Sequence, residues 1–467
     1  MGINRRGFLA STGAVAAANL FHTGVSLAAP ATASPNEQPV VGFIGTGIRF
    51  HTALGHQATA LGPCAKIADV DAAQAGRAWQ TVMDLHRDLG RPIDMTVHED
   101  YQRVLDDKHI DVVVVGSADH WHTKHVIDAV DAGKDVYCEK PLTLTIAEGR
   151  QIEEAIARTG RIVQVGTQQR TEFGQMFTTA AAMVRDGRVG GVKRVTVCIG
   201  GSRDAEPLPV TAPPKQLNWD KWLGQCPMVD YRESPTITDT SGWGAGHPFS
   251  RTHHYFRWWY EYSGGKLTDW GAHHVDIAML ALDKQRDDIG HVKIEPISVT
   301  HPVEFVDGMP AQDDRFNAAT AFNVRCTFAD GIEMDIRDNA VDDLGFDNGV
   351  MFTGDKGRFL VNRGKLVGAP VEALGDRPLP ADPFQTLYGQ AKPKSHMDHF
   401  FDCVKSRTQP ISDVPSHNRM LNVCHAVNIA MRLGRTLTYD PATQSFVGDK
   451  QANSFVAREQ RKGYETA

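Results

Sequence analysis

From residue 40 onward, apolar and polar positions fall into blocks of two kinds. Short apolar runs at 40–44, 64–70, 110–116, 136–138 and 162–165 predict strands. Their near-continuous hydrophobicity suits strands covered on both faces. Between them, residues 101–105, 125–132 and 146–159 repeat apolar positions at helical spacing, the second stretch stopping at Gly133. Strands alternating with helices in this way imply a doubly wound parallel sheet. After residue 166 the texture changes. Residues 176–186 predict a helix and 192–198 a strand, followed by an irregular stretch, rich in Pro and Gly, from 201 to about 251. Residues 277–282 read as a helix. Alternation at 315–328, 332–337 and 350–361, with Gly331 and Gly357 at turns, predicts antiparallel strands. Helices at 396–404 and 419–433 close the chain. The expected fold class is α/β, with an N-terminal Rossmann-type doubly wound sheet. A C-terminal α/β domain with an open, largely antiparallel sheet should follow.

The pattern before residue 40 is an address. Arg5-Arg6 followed by Phe8-Leu9, then an Ala-rich, weakly apolar stretch, reads as a twin-arginine signal over 1–33. An ordinary secretory n-region is the competing reading. Residues 34–39, rich in Pro, Ser and Asn, read as a linker. The apolar part is too short for a stable spanning helix, and no later segment reaches that length. The expected location is the periplasm, reached as a folded protein.

The 467 residues are 41% apolar and 22% charged, enough for more than one domain with a buried core. A net charge of −7 argues against nucleic-acid binding as a main task. Seven cysteines without a Cys-x-x-Cys pair suggest buried free thiols.

Four stretches carry candidate chemistry. Gly45-Thr46-Gly47 joins the first strand to a helical pattern, and such a turn presents backbone N–H groups to a pyrophosphate. The dinucleotide fingerprint wants a third small residue at position 50, where this chain has Phe50. Asp69, at the end of the second strand, suits the ribose hydroxyls of NAD. Asp71 competes for that role, or caps the next helix. Glu139-Lys140-Pro141 ends a strand where open parallel sheets bind ligands, although alone it also reads as a salt bridge beside a turn proline. Asp269 and His273 stand four apart, so one helical face could present both, with His274 turned elsewhere. Asp269, His273, His274 and Asp276, or His253-His254, could in principle hold zinc, but no His-Glu-x-x-His or cysteine pair supports it, and no metal is expected. The tryptophans from Trp219 to Trp258 suit either sugar stacking or a local core.

Gly45-x-Gly47, Asp69, Asp119-His120-Trp121-His122, Gly133-Lys134 and Glu139-Lys140-Pro141, in this order and spacing, resemble the Gfo/Idh/MocA family. Residues 165–170 resemble the domain junction of its exported members. The resemblance implies a nicotinamide-binding domain over 40–165 and a substrate-binding and oligomerisation domain over 166–467. It places Lys140, Asp269 and His273 around the substrate hydroxyl, Lys140 donating a hydrogen bond and His273 taking the proton. It places Gly45, Gly47, Ile48, Asp69, Ser117, His122, Glu139, Lys140 and Gln168 at the cofactor, with Glu139 fixing Lys140 or the nicotinamide side. The implied protein is an exported NAD(P)-dependent oxidoreductase acting on a sugar, glycoside or polyol hydroxyl. NAD is expected over NADP, tightly bound, in a homo-oligomer built through the C-terminal sheet. The alternative is a glycoside hydrolase or lyase that oxidises its substrate only transiently. The resemblance implies no metal.

Overall fold

The computed structural model describes residues 38–466 apart from 92 and 241. The expected export signal and most of the linker lie outside the described residues. The first sheet has six parallel strands: β1 (Val41–Ile44), β2 (Cys64–Ala68), β3 (Thr96–His98), β4 (Val112–Val115), β5 (Asp135–Cys138) and β6 (Val163–Val165). Their spatial order is β3-β2-β1-β4-β5-β6. The chain leaves β1 in one direction and returns to it with β4, so the crevice for a ligand opens at the carboxyl ends of β1 and β4. All four residues of β1, of β4 and of β5 are buried, as continuous apolar runs require when helices cover both faces. The helix Ile146–Thr159 lies where its periodicity predicts. It opens with a capping box between Thr145 and Glu148 and stops at Gly160, whose backbone is left-handed.

Two elements of this half carry no clear apolar signal, and the first was signalled only by Asp71 as a candidate cap. The helix Ala72–Asp88 buries mainly Ala75, Ala78 and Val82, a face too small to stand out. The edge strand β3 has no buried residue, so nothing selects an apolar run there.

The second sheet has nine strands. In spatial order they are Leu366–Val367, Gly357–Val361, Gly349–Gly354, Val192–Cys198, Glu333–Arg337, Ala321–Thr327, Val292–Thr300, Leu437–Asp440 and Ser445–Phe446. All pairs are antiparallel except Val192–Cys198 with Glu333–Arg337. Helices Met176–Arg185, Gly271–Ala281 and Val414–Leu433 fill the inner face. One apolar core runs from β4 and β5 through these helices to Val195, Val324 and Ile336. The outer face carries ion pairs instead, Arg194 with Glu333 and Arg325 with Asp335.

The irregular stretch after residue 201 is built on its own aromatic cluster. Trp222, Tyr231, Tyr255, Trp258, Trp259 and Tyr262 are all buried in it. Trp219 stacks on Trp222 at 5.1 Å. Most of these tryptophans therefore serve the core; Trp243 is 57% exposed. The seven cysteines are free and buried. Among the described residues no helix is long and apolar enough to cross a membrane.

Candidate active site

A cleft of about 1040 Å³ begins at the carboxyl ends of β1 and β4 and continues to the start of the helix Gly271–Ala281. At one end is the glycine turn. Gly45 has φ +80°, and a Cβ there would fall 2.4 Å from the backbone of Ser117. The turn is therefore pinned against the residue after β4. Gly47 has open space where its Cβ would be, which leaves room for a diphosphate against the N–H groups of the following turn. Phe50 is buried edge-on against Phe43 at 4.9 Å and opens a π-helical turn, Phe50–Leu54. A Cβ on Gly55 would lie 2.7 Å from the Phe50 ring. The close packing that the fingerprint assigns to a third glycine is thus taken over at Gly55, five residues later.

Asp69 lines the cleft beside this turn. Its Oδ2 accepts from the backbone and hydroxyl of Thr46 at 2.7 and 2.9 Å, and its Oδ1 from the Asp71 N–H at 2.9 Å. Burial raises the pKa of its carboxyl above the ordinary value. Asp71 is occupied as the cap of the helix Ala72–Asp88, and it also meets His253 Nε2 at 3.1 Å. Ile48 lines the same end. Ser117 lines it too, but its hydroxyl is turned to His125 Nδ1 at 3.0 Å.

The Asp119-His120-Trp121-His122 run mainly joins parts of the chain. Asp119 accepts from Ser263 Oγ at 2.6 Å, while His120 Nε2 and Trp121 Nε1 both meet the Trp222 carbonyl. His122 is buried with its ring nitrogens 2.6 Å from the Pro141 carbonyl and 3.1 Å from that of Ser117. Its ring therefore ties the loop after β4 to the loop after β5. A neutral ring has one N–H to give, so only one of these carbonyls accepts from it, and a cofactor would have to compete for that N–H. Lys134 is likewise structural, donating to the carbonyls of Asp107 and Ile110.

Beyond β5 the chemistry gathers. Glu139 accepts from Arg49 Nε at 2.8 Å and from Gln168 Nε2 at 2.9 Å. Burial opposes its charge, but Arg49 together with Lys140 and Gln168 holds the carboxyl below its usual range. Glu139 meets Lys140 only through the backbone N–H, at 3.3 Å. Lys140 precedes Pro141 across a cis peptide bond. Its ammonium donates to Asp269 Oδ1 at 2.8 Å and to the Asp269 carbonyl at 2.9 Å. Arg257 and Lys266 approach the same carboxylate at 3.8 and 3.7 Å. Burial alone would raise Asp269; Lys140, Lys266 and Arg257 together hold it far below the carboxylate range.

Asp269 ends one short helix, Lys266–Asp269, and His273 stands in the first turn of the next, Gly271–Ala281, with Trp270 between them. The expected single helical face is thus two helix ends meeting at a break, although both side chains still line the cleft. His273 Nδ1 is buried with no hydrogen-bond partner among the described residues. Burial first, then Lys140 and Arg363, hold its ring well below its ordinary pKa, so it is neutral at pH 7. His274 points away, bonded to Gln169 and Asn348. Asp276 forms a fully buried pair with Arg170. Neither is placed to share a metal with His273.

Charged residues of the cleft that had no part in the sequence assignment include Arg49, Arg257, Lys266 and Arg363. Lys266 sits three residues before Asp269 and could have been read from that spacing. Arg49 follows the glycine turn, Arg257 lies in the 3-10 helix His253–Trp258 and Arg363 in the bend after Gly357–Val361, none with a local pattern that singles it out. The far end of the chain also contributes. Tyr464 packs edge-on against Trp121 and donates to Asp220 Oδ2 at 2.6 Å, while Arg461 donates to the Gly224 carbonyl at 2.8 Å. Gly463 and Tyr464 wall the cleft beside Lys221 and Trp222.

Comparison with known proteins agrees with this layout. The sequence profile of the Gfo/Idh/MocA oxidoreductase family matches in both halves. Its NAD-binding Rossmann fold covers residues 40–167, and its C-terminal alpha/beta domain covers 198–362 and 378–466. The chain belongs to the Gfo/Idh/MocA family. Its nucleotide-binding half is similar to inositol 2-dehydrogenase 2 of Saccharopolyspora erythraea, 34% identical over 151 residues, which is 32% of this chain and 42% of that protein. The chain thus matches less than half the length of this curated relative. Two solved members of the fold resemble it over most of its length. Levoglucosan dehydrogenase in complex with NADH and L-sorbose has a TM-score of 0.54 at 16% identity, over 86% of this chain and 99% of that one. Aldose–aldose oxidoreductase from Caulobacter crescentus has a TM-score of 0.51 at 18% identity, with 86% and 99% covered. As in the family profile, the Rossmann half is an NAD-binding one, and the Gly45–Gly47 turn, Asp69 and the open space over Gly47 fit that cofactor.

Proposed function

We propose that the protein is an NAD-dependent oxidoreductase acting on a CH–OH group of a sugar, glycoside or polyol. The observation that carries this reading is the Lys140–Asp269 pair beside a neutral His273, in the same cleft as the glycine turn. When bound, NAD supplies the hydride acceptor. Asp269 fixes the Lys140 ammonium, which can then donate a hydrogen bond to the substrate oxygen as negative charge develops on it. His273, neutral and lining the cleft, accepts the hydroxyl proton. Glu139, held by Arg49 and Gln168, keeps the β5 loop in place beneath Lys140. Incubation of the purified protein with NAD and a panel of polyols and sugars tests the reading. Reduced nicotinamide should accumulate with at least one of them, and none with any would reject it.

A second reading has its own support. Leu217, Lys221, Trp222, His253, Gly463 and Tyr464 wall the nucleotide end of the cleft, an arrangement suited to a cofactor that stays bound between turnovers. A retained cofactor permits a transient oxidation followed by elimination of a glycoside, with no net redox change. Release of aglycone from a glycoside without reduced nicotinamide accumulating, or a second sugar being reduced, would favour this over net oxidation.

Export and assembly complete the proposal. Arg5-Arg6 with Phe8-Leu9 supports twin-arginine export to the periplasm as a folded protein; changing both arginines to lysine should trap the precursor in the cytoplasm. The outer face of the nine-stranded sheet, with its paired charges and the half-exposed Ile297, is the surface we assign to homo-oligomer contacts. Light scattering that reports a monomer would reject that assignment.

A further inference from the structure

Arg363 stands at the catalytic end of the cleft with no carboxylate among the described residues in ion-pair reach, and Asp269 and Glu139 act on it only from a distance. Its guanidinium lies 4.7 Å from the centre of the Phe173 ring and 4.5 Å from that of Trp270. Trp270 in turn joins Asp269 to the helix that carries His273. The one hydrogen bond Arg363 makes among the described residues is long, from Nε to Gln169 Oε1 at 3.4 Å. Its two Nη groups, the fork that grips planar anions, meet no carboxylate among the described residues. Other cations of the cleft are matched: Arg49 with Glu139 and Arg203 with Asp239. Around the reacting position the balance differs. Lys140, Arg257 and Lys266 share the single carboxylate of Asp269. The nearby buried acid Asp119 is engaged by Ser263, and burial pushes it toward its protonated form.

A half-buried guanidinium clamped between two aromatic rings has given up part of its water and received no protein anion in return. Such a group is retained where a ligand completes it. We propose that Arg363 anchors a carboxylate of the substrate, so that the hydroxyl being oxidised belongs to an acidic sugar of the uronate or aldonate class. This inference rests on the dehydrogenase reading for the identity of the reaction, but not for the anion site itself. Two parallel N–H bonds from the fork would fix the sugar's orientation beside Lys140 and His273. The same carboxylate would relieve His273. Its ring is kept from protonation first by burial, then by Lys140 and Arg363, and an anion on Arg363 offsets the last of these when the proton arrives. Burial and Arg49 lower the Arg363 pKa to about 10, with Asp269 and Glu139 opposing them only from a distance.

Calorimetric titration of the NADH-loaded protein tests the proposal without turnover. The ligands are glucuronate, galacturonate and gluconate, with glucose, galactose and myo-inositol as neutral counterparts and glucose 6-phosphate as a different anion. At least one carboxylate sugar should bind roughly 10- to 100-fold more tightly than its neutral counterpart, the worth of a charged hydrogen-bond pair. The ratio should collapse toward one in Arg363→Gln and be partly kept in Arg363→Lys. Nicotinamide fluorescence and thermal melting establish that each variant folds and holds its cofactor, and if Arg363→Gln does not fold, Arg363→Lys and the loss of the ratio at high salt carry the test. Equal or tighter binding of neutral sugars overturns the inference. So does a ratio that survives Arg363→Gln, a variant that loses NADH instead of discrimination, or a preference for the phosphate alone. Reduction of NAD by neutral sugars with no acid preference would overturn this inference and leave the dehydrogenase reading intact. An Arg363-dependent acid preference with no cofactor reduced by any sugar would do the reverse.

Discussion

Lys140 and Asp269 are 129 positions apart in sequence, yet the lysine ammonium donates to both the carboxylate and the backbone carbonyl of the aspartate, at 2.8 and 2.9 Å. The double contact fixes the ammonium along two directions at once. It leaves one N–H of the ammonium for a third acceptor.

Removal of that donor should therefore strike the chemical step. Lys140→Ala is expected to lower kcat on the order of 10²- to 10³-fold, by analogy with deleting an oxyanion donor. Cofactor affinity should survive, because the diphosphate cradle at Gly45–Gly47 is separate. Single-turnover nicotinamide reduction and fluorescence titration read the two quantities. A fully active Lys140→Ala protein would remove Lys140 from the catalytic set.

His273 should act as a base over an unusually wide acidic range. Its ring is held well below its ordinary value by burial and by Lys140 and Arg363, so the neutral form persists below pH 6.5. The acid limb of kcat/KM, which reports the form before substrate binds, is expected to fall below that pH. In His273→Ala both the limb and most of the activity should disappear. A limb centred at or above pH 6.5 would contradict the assignment.

Asp69 should select NAD. Asp69 and Asp71 both line the cleft at the end of β2; Asp71 is tied to its helix N-terminus and His253, so the charge that would repel a 2′-phosphate is assigned to Asp69. Asp69→Ala should reduce the NAD-to-NADP preference by an order of magnitude or so, about 1.4 kcal/mol. Because Asp69 also holds Thr46, Thr46→Val is the control for loosening of the turn. A preference changed equally by both variants would mean that loop order, not charge, does the selecting.

Stability should decline on mild acidification. His274, His396 and His425 are buried with pKa values lowered to about 4, in each case mainly by burial. Below the unfolded value of 6.5 the unfolded chain binds protons that the folded protein refuses. The stabilisation is complete above pH 6.5 and is lost as pH falls toward 4. The slope is up to about 1.4 kcal/mol per pH unit for each histidine. Urea unfolding at pH 7 and at pH 5 measures it, and equal stability at the two pH values would mean that these rings already carry charge when folded.

Much of this was legible in the sequence because the residues concerned obey local rules. Valine runs buried on both faces announced β4, and Thr145 with Glu148 marks the start of its helix to the residue. Glu139-Lys140-Pro141 lies at a strand end, where sheet topology concentrates chemistry. Other features follow no local rule. The strand Val292–Thr300 was not expected, because its apolar alternation fails after Ile294 where the side chains turn outward. Phe50 looked like a defect in the glycine fingerprint, since the compensation at Gly55 depends on a π-helical turn that spacing does not reveal. His122 lines the cleft but also sets its ring nitrogens against two backbone carbonyls, contacts within the chain that no motif reveals. Arg363 gave no signal at all. What distinguishes it is that no carboxylate among the described residues lies within ion-pair reach of its guanidinium, and that is a property of three dimensions.

One wall of the nucleotide cleft has a consequence in time. Tyr464 and Gly463 are made about four hundred residues after the glycine turn whose cleft they line. All six parallel strands have been made by residue 165, so throughout the synthesis of the second sheet that side of the cleft has no such wall. The order of translation itself thus provides an open period for nucleotide loading before Gly463 and Tyr464 arrive.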